Sequence, residues 1–221
     1  MTVLYRRTVV VTGAAGGLGA GVVAAFAEAG ASVIGIAHRD PGAGVAGVRY
    51  VPVDLTDDAQ VGAFFADAGA PWAVIHTVGG YAPERPLSEL DPAELAQQLA
   101  VNLTTSALVV KHALRAMRPL GAGRIVLTAS RSATVTAGAG FAYSVSKLGV
   151  LHLARMAADE VAGSGITVNC VVPSIIDTAA NRAAMPHADH ASWPKPADLA
   201  RTYLYLAGPE AGLINGATIP V

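Results

Sequence analysis

Short apolar runs alternate with longer segments of helical spacing along the whole chain. Runs that lack polar alternation predict strands buried on both faces, and they lie at 8–11, 32–37, 49–53, 72–76, 124–128, 166–172 and 217–221. Helical spacing and start signals predict helices at 20–29, about 57–68, 92–117, 143–162 and 197–207. Because the strands and helices alternate at βαβ spacing, the pattern predicts an α/β fold, a single doubly wound (Rossmann) parallel sheet with helices on both faces, as one domain over 1–221.

Two of the predicted helices carry few charges. The 221 residues are 52% hydrophobic and only 14% charged, whereas soluble domains typically contain about 25% charged residues. The stretch 95–110 has no charged residue at all. We therefore expect the helices 92–117 and 143–162 to pack against a second copy of the chain, which gives a homo-oligomer, either a dimer or a tetramer.

The charge and the cysteine content of the chain indicate which binding partners and which cellular compartment to expect. The net charge of −1 offers no electrostatic footprint for nucleic acid or an anionic membrane, so we expect neither as a partner. The uncharged segment 8–27 has the length of a membrane span, but its glycine-rich turn fits a strand, turn and helix better. The single Cys170 excludes an internal disulfide and lies in an apolar run, which predicts a buried side chain. With no leader pattern before residue 8, we predict a cytoplasmic protein.

Glycines mark the first strand-to-helix connection. Gly13, Gly16, Gly17 and Gly19 follow an apolar strand and precede an alanine-rich helix. Glycine lets the backbone turn tightly and approach a pyrophosphate, and the unpaired N–H groups at a helix start attract its charge. This order predicts a dinucleotide-binding unit, and the alternative is an ordinary tight turn.

A second group of reactive side chains lies in the latter half of the chain. Tyr143 and Lys147 are four residues apart at the start of a predicted helix, so they share one face. The ammonium group is expected to favour the phenolate and to lower the pKa of Tyr143, which suits an acid/base group. Ser130 follows the fifth strand, at the edge where parallel sheets bind ligands, and its hydroxyl can hydrogen-bond a carbonyl oxygen beside Tyr143.

With these motifs the sequence resembles the classical short-chain dehydrogenase/reductase family over nearly its whole length. The segment 12–19 (TGAAGGLG) matches the family's TGxxxGxG loop, and Asp54 matches the acidic residue that meets the adenine. The catalytic tetrad of the family is matched in order and spacing by Asn102, Ser130, Tyr143 and Lys147. The resemblance implies hydride transfer between NAD(P) and a carbonyl or alcohol carbon of a small molecule.

The resemblance also implies a role for each site residue. Tyr143 is the general acid in reduction and the general base in oxidation, and Ser130 positions and polarises the substrate oxygen. Lys147 binds the nicotinamide ribose and lowers the pKa of Tyr143, and Asn102 holds a water that links Lys147 to solvent. The simpler alternatives are a loop-start hydroxyl for Ser130 and a backbone-bonding side chain for Asn102. The implied cofactor contacts are Gly13, Ala15, Gly16, Gly17, Leu18, Gly19, Asp54, Leu55, Gly79, Gly80, Tyr143, Lys147, Pro173, Ile176 and Thr178.

Some segments depart from the family pattern. Thr77-Val78-Gly79 replaces the usual Asn-Ala-Gly, and Pro173-Ser174 replaces Pro-Gly. Residues 177–197 are irregular by their pattern, and the part 177–193 resembles the corresponding loop of dihydropteridine reductases. Gly79-Gly80-Tyr81 also resembles a segment of those enzymes. We predict a lid over the substrate at about 177–196, in which Trp193 caps the substrate or anchors the loop.

Other functions remain open from the sequence. One is dihydropteridine reduction, and another is a catalytically silent dinucleotide-binding redox sensor. His187 and His190 form H-x-x-H, but no third ligand is evident, so we predict no metal site.

The predicted cofactor is NADP(H) rather than NAD(H). An acidic residue at the end of the second strand normally bonds the ribose hydroxyls of NAD, and this chain has Ala37 there. Arg39 can donate charge-assisted hydrogen bonds to a 2′-phosphate, while Asp40 can pair with Arg39 or approach the ribose. The alternative is that 38–40 is simply a solvated loop.

Overall fold

A computed structural model describes residues 4–38, 42–81, 86–135 and 140–221. Its strands are β1 (Thr8–Thr12), β2 (Ser32–Ile36), β3 (Arg49–Val51), β4 (Ala73–His76), β5 (Gly123–Thr128), β6 (Ile166–Val172) and β7 (Thr218–Pro220). They form one parallel sheet in the order β3-β2-β1-β4-β5-β6-β7. This sheet confirms the predicted doubly wound α/β fold. β3 ends two residues earlier than predicted, where Pro52 has no N–H to donate to the sheet.

Helices cover both faces of the sheet. They are α1 (Gly17–Glu28), α2 (Asp58–Ala68), α3 (Pro92–Gln98), α4 (Thr105–Met117), α5 (Phe141–Glu160), α6 (Ala179–Ala184) and α7 (Pro196–Ala207). Asp57 caps α2 by accepting hydrogen bonds from two backbone N–H groups, and Asp91 caps α3, whose first residue is Pro92. None of the helices in the described part of the chain combines the length and the apolar character that a membrane crossing requires.

The core consists of two apolar clusters, one on each face of the sheet. Val10 of β1 joins the cluster under α2, α4 and α5, whereas its neighbours Val9 and Val11 join the cluster under α1 and α7. This alternation follows from the strand geometry, in which successive side chains point to opposite faces. Cys170 of β6 is completely buried in the first cluster, as predicted, and burial raises the pKa of its thiol to about 12.

The segment predicted as one continuous helix over 92–117 is interrupted. A π-helical turn, Leu99–Thr104, separates α3 from α4. Just beyond it, the hydroxyl of Thr105 donates to the carbonyl oxygen of Val101 at 2.7 Å, and that of Ser106 donates to Asn102 O at 2.6 Å. Hydroxyls that bond the carbonyl four residues earlier loosen a helix locally, and π turns are common at functional sites.

The segment predicted as irregular over 177–197 contains the helix α6. Thr178 caps α6 by accepting from the N–H of Asn181. The N–H of Asp177 donates to Pro194 O at 2.9 Å, so the two ends of the segment meet. Asp177 also forms a two-pronged ion pair with Arg182 of α6. The connection is therefore a closed loop with its own internal hydrogen bonds. Its proline-rich composition predicted an irregular segment and gave no sign of these bonds.

Candidate active site

Most predicted site residues lie in the connections that leave one edge of the sheet. The strands are parallel, so their carboxyl ends meet there, and parallel sheets bind ligands at this edge. The glycine turn follows β1, Gly79 and Gly80 follow β4, Ser130 follows β5 and Pro173 follows β6.

The turn after β1 leaves no room for a side chain at two of its glycines. Gly13 has a φ of 69°, and a Cβ on Gly19 would lie 2.0 Å from the carbonyl oxygen of Gly13. No side chain caps the start of α1 at Gly16. The first N–H groups of this helix are thus available to an anion, which fits the diphosphate of a dinucleotide. Ala15, Gly16 and Gly17 are exposed, whereas the side chain of Leu18 is buried in the core, so Leu18 faces a ligand only through its backbone.

The predicted adenine end of the site lies beyond β2 and β3. Asp54 is exposed and accepts hydrogen bonds from the backbone and hydroxyl of Thr56, at 2.9 and 2.7 Å. These bonds hold the pKa of Asp54 below its usual value, and the charge of His38 adds to the effect. The side chain of Leu55 is buried. Arg39, to which the preference for NADP(H) was ascribed, lies outside the described residues.

Lys147 is buried on α5 beneath the connection that follows β4. Its ammonium group donates to the carbonyl oxygen of Thr128 at 3.0 Å, and burial lowers the pKa of Lys147 to about 8. A Cβ on Gly79 would lie 2.8 Å from Lys147 Nζ and 3.0 Å from Asn102 Oδ1. The backbone at Gly79 therefore passes directly over both polar groups, and a side chain there would displace the ammonium group.

Asn102 occupies the π turn between α3 and α4. Its Nδ2 lies within hydrogen-bonding distance of Gly80 O, Gln98 Oε1 and Ser146 Oγ, at 3.1, 3.0 and 3.0 Å. Its Oδ1 accepts from the N–H of Gly80 at 3.0 Å. The side chain of Asn102 thus holds the backbone after β4 beside Lys147. This is the backbone-bonding role that the sequence offered as the simpler alternative for Asn102.

Ser130 and Tyr143 place two hydroxyl groups together at the edge of the sheet. Ser130 caps a short 3₁₀ turn, Arg131–Ala133. Burial raises the pKa of Tyr143, and a hydrogen bond with Ser130 acts in the opposite direction. The expectation that Lys147 lowers the pKa of Tyr143 is wrong for this structure, because the phenol is largely buried and the ammonium is bonded to Thr128.

The predicted lid begins next to the glycine turn. A Cβ on Gly17 would lie 2.7 Å from Thr178 Cγ2, so Thr178 covers the start of α1. Ile176 packs against the α1 and α7 face of the core. The ring of Trp193 is 9% exposed and 4.6 Å from that of His190 (centroid to centroid), which identifies Trp193 as an anchor of the loop. His190 Nε2 in turn lies 2.8 Å from Met185 O.

Several residues at the site were assigned no role there from the sequence. The ring of Tyr81 meets that of Tyr143 edge to face, with centroids 5.2 Å apart. His76, at the end of β4, is fully buried, with Nδ1 2.8 Å from Thr12 Oγ1, and burial and the charge of Lys147 lower its pKa to about 3. Thr128, which holds the ammonium group, acts through its backbone, so no side-chain signal exists for it. For Tyr81 a signal did exist in the sequence, because an aromatic residue directly follows the glycine pair Gly79-Gly80 after β4.

Comparisons with known proteins agree with this geometry. A model of the enoyl-(acyl carrier protein) reductase family matches residues 13–221. The chain is 35% identical to cis-4-hydroxycyclohexanecarboxylate dehydrogenase of Sinomonas cyclohexanicum, over 98% of this chain and 95% of that one. A short-chain dehydrogenase/reductase structure from Mycobacterium ulcerans has a TM-score of 0.90 and 30% identity, and covers 98% of this chain and 89% of its own.

A third similar protein was solved with a cofactor. It is a Beutenbergia cavernae structure, proposed in its description to be an NAD(P)-dependent gluconate 5-dehydrogenase, with NADP bound at low occupancy. Its TM-score is 0.87 and its identity 27%, over 98% of this chain and 95% of its own. The names of the matched family and of these relatives describe dehydrogenases and reductases, which are oxidoreductases. Motifs, fold and comparisons converge, and the chain belongs to the short-chain dehydrogenase/reductase family of NAD(P)-dependent oxidoreductases.

Proposed function

We propose that this oxidoreductase interconverts an alcohol and a carbonyl group of a small molecule with Tyr143 as the acid/base group. The contact between the hydroxyls of Ser130 and Tyr143, with Lys147 buried nearby, is the observation that carries the proposal. Ser130 orients the substrate oxygen, Tyr143 gives or takes its proton, and Lys147 binds the ribose of the cofactor and supplies positive charge. Asn102 fixes the backbone at Gly80 beside Lys147. NAD(P), when bound, accepts or supplies the hydride.

The acid/base role predicts a selective defect in the variant Tyr143→Phe. Without the phenolic hydroxyl, kcat is expected to fall by about 10²- to 10⁴-fold, the usual contribution of a positioned acid or base. The Kd for cofactor, measured by quenching of tryptophan fluorescence, is expected to stay near that of the parent. Tyr81→Phe is the matched control, since it removes a neighbouring hydroxyl and keeps the ring. A kcat of parent size in Tyr143→Phe removes this residue from the acid/base role.

For the cofactor, we propose a preference for NADP(H). Ala37 leaves no carboxylate at the end of β2 to repel a 2′-phosphate, and Arg39 supplies a guanidinium group two residues later. Values of kcat/KM for NADPH are expected to exceed those for NADH, and Arg39→Ala is expected to reduce only the NADPH value, by about tenfold. A preference for NADH in the parent contradicts this proposal, as does an Arg39→Ala variant that keeps its NADPH value.

The substrate is proposed to be a small alcohol or ketone with an apolar face. Tyr81 supports this proposal because 62% of its surface is exposed while its ring packs on that of Tyr143. The cyclohexane ring in the name of the bacterial relative has such a face. A panel of cyclic ketones, open-chain polyols and quinonoid dihydropterin tests this choice. Reduction of the dihydropterin alone supports the dihydropteridine reductase alternative, and tight cofactor binding without turnover of any compound supports the redox sensor.

We further propose one catalytic domain over 1–221 that acts in the cytoplasm as a dimer or tetramer, with 177–196 as its lid. The uncharged stretch 95–110 and the apolar residues Leu148 and Met156, which are more than half exposed on α5, support the assembly. Thr178 supports the lid, because it lies against the glycine turn where the cofactor diphosphate is proposed to bind.

A further inference from the structure

Two donors from one residue converge on the hydroxyl oxygen of Ser130. The hydroxyl of Ser132 donates to Ser130 Oγ at 2.9 Å, and the backbone N–H of Ser132 donates to the same oxygen at 3.3 Å. The backbone at Ser130 is extended, and Ser132 lies two residues later, in the 3₁₀ turn Arg131–Ala133 that Ser130 caps. Neither contact was evident from the motif, because it depends on how this turn folds back.

A serine hydroxyl has one hydrogen to donate and two lone pairs that accept. When the hydroxyl and the N–H of Ser132 both donate to Ser130 Oγ, both lone pairs are occupied. The remaining hydrogen-bonding capacity of Ser130 is its own O–H, which can only donate. The interaction of Ser130 with Tyr143 lowers the pKa of the phenol against the effect of burial, which is the direction expected when Ser130 donates to the phenolate.

We propose that Ser132 is a positioning residue that commits Ser130 to donate its hydrogen bond toward the reacting oxygen. The inference rests on the proposed function, in which Ser130 and Tyr143 together hold the substrate oxygen. During reduction of a carbonyl group this oxygen gains negative charge, and a donor that is already oriented stabilises it. Without Ser132, Ser130 can instead accept the proton of Tyr143 in a hydrogen bond, which turns that proton away from the substrate.

The side chain of Ser132 can be removed with little damage to the turn. Ser130 caps the turn by accepting from the backbone N–H of Ser132, and this bond is kept in Ser132→Ala. The backbone bonds from Ala133 N to Ser130 O and from Thr134 N to Arg131 O are kept as well. Thr134→Val is a matched control, because it deletes another hydroxyl of the same turn, one that donates to Arg131 O and does not touch Ser130. Ser132→Thr keeps a hydroxyl and is the conservative variant.

The first measurement is the titration of Tyr143, which requires no turnover. Near-ultraviolet absorbance of the phenolate is followed against pH in each protein, and the curve of the same protein carrying Tyr143→Phe is subtracted to isolate Tyr143. Ser132→Ala is expected to raise the pKa of Tyr143 by up to about one pH unit, in the same direction as Ser130→Ala, because both weaken donation to the phenolate. Thr134→Val and Ser132→Thr are expected to titrate as the parent does.

The second measurement is a double-mutant cycle on kcat with Ser130→Ala and Ser132→Ala. Ser132→Ala alone is expected to lower kcat by about twofold to tenfold, the size of one neutral hydrogen bond, with the KM for cofactor unchanged. In the Ser130→Ala background the same change is expected to have no further effect, because Ser132 acts only through Ser130.

These outcomes separate the inference from the proposed function. If Ser132→Ala leaves the pKa of Tyr143 at the parent value, the inference is overturned, whether or not a substrate is found. The inference is also overturned if Ser132→Ala lowers kcat equally in the parent and in the Ser130→Ala variant, since Ser132 then does not act through Ser130. If the titration behaves as expected and no alcohol or ketone is turned over, the proposed function fails while the bond from Ser132 to Ser130 stands.

Discussion

At the scale of single residues, the site contains a buried charge, Lys147, that lowers the stability of the fold. Lys147 is buried with a carbonyl oxygen as its hydrogen-bond acceptor, and no carboxylate pairs with it among the described residues. The backbone at Gly79 packs closely over the ammonium group. An unpaired buried charge lowers stability unless it loses its proton. A buried lysine of this kind lowers the stability of the fold, which is typical of a residue that serves ligand binding rather than folding.

This cost predicts how stability depends on pH. The pKa of Lys147 is about 8 in the folded protein and 10.5 in an ordinary environment. Between these values the unfolded chain binds more protons, so this group makes the free energy of unfolding rise as pH increases from 8 to 10.5. Below pH 8 the buried charge costs its full amount, on the order of 3 kcal/mol.

Replacing the charge by an apolar side chain of similar length is expected to remove this cost. Lys147→Met should raise the free energy of unfolding at pH 7 by about 1–3 kcal/mol, abolish turnover, and flatten the rise of stability above pH 8. Urea denaturation across this pH range measures both effects. Lys111→Met is the control, because Lys111 is partly exposed and paired with Asp58. An unchanged pH slope in Lys147→Met contradicts the argument.

The spacing of residues predicted which side chains lie close together, but not the hydrogen bonds that they form. Ser130, Tyr143 and Lys147 stand at positions that strand and helix geometry brings together, and the structure places them there. The bonds of Asn102 to Gln98 and Ser146, in contrast, depend on side-chain conformations that only tertiary packing selects. The same reason explains why the direction of the pKa shift of Tyr143 was wrong.

At the scale of elements, strands were predicted well because burial on both faces requires continuous apolar runs. β6 has the predicted bounds, and the caps at Asp57 and Asp91 placed two helix starts. The π turn at Leu99–Thr104 was not predicted, since threonine and serine are equally common in regular helices. The widened turn carries Asn102, whose side chain bonds the backbone at Gly80.

The closed loop 177–194 predicts a movement of one element as a unit. Its ends are joined by Asp177 and Pro194, and Trp193 anchors one side, so we expect the loop to close over the cofactor and substrate together. Hydrogen exchange is expected to slow at amides 179–192 when NADP⁺ and a substrate analogue are added. Amides of α2, which lies over the other core cluster, serve as the internal control. Equal protection with and without ligands counts against a lid.

At the scale of the whole molecule, the candidate site and a group of stacked side chains around Trp72 lie at opposite edges of the sheet. The site occupies the carboxyl edge, whereas at the amino edge the guanidinium groups of Arg7 and Arg124 both stack on the ring of Trp72. Trp72 Nε1 and Arg124 Nε also donate to carbonyl oxygens at the end of α7. This separation lets the connections at the carboxyl edge move without loosening the sheet.

The outer surface formed by α4 and α5 predicts self-association. A groove between the two helices is lined by apolar residues that include Leu153 and Met156, the latter 60% exposed, with charged side chains such as Lys111 and Arg118 around it. A second copy related by a two-fold axis places the same groove against itself and buries it. We expect the parent protein to have the mass of a dimer or a tetramer by light scattering at micromolar concentration.

A charge placed in this groove is expected to halve that mass. Met156→Asp puts two carboxylates close to the two-fold axis, where their repulsion and desolvation oppose association. Leu120→Asp is the matched control, because Leu120 is 64% exposed just beyond the end of α4 and is not among the residues that line the groove. The halved mass of Met156→Asp should be accompanied by a far-ultraviolet circular dichroism spectrum like that of the parent, which excludes unfolding as its cause. A monomeric parent, or a Met156→Asp variant with the parent's mass, contradicts an interface between copies of the chain at α4 and α5.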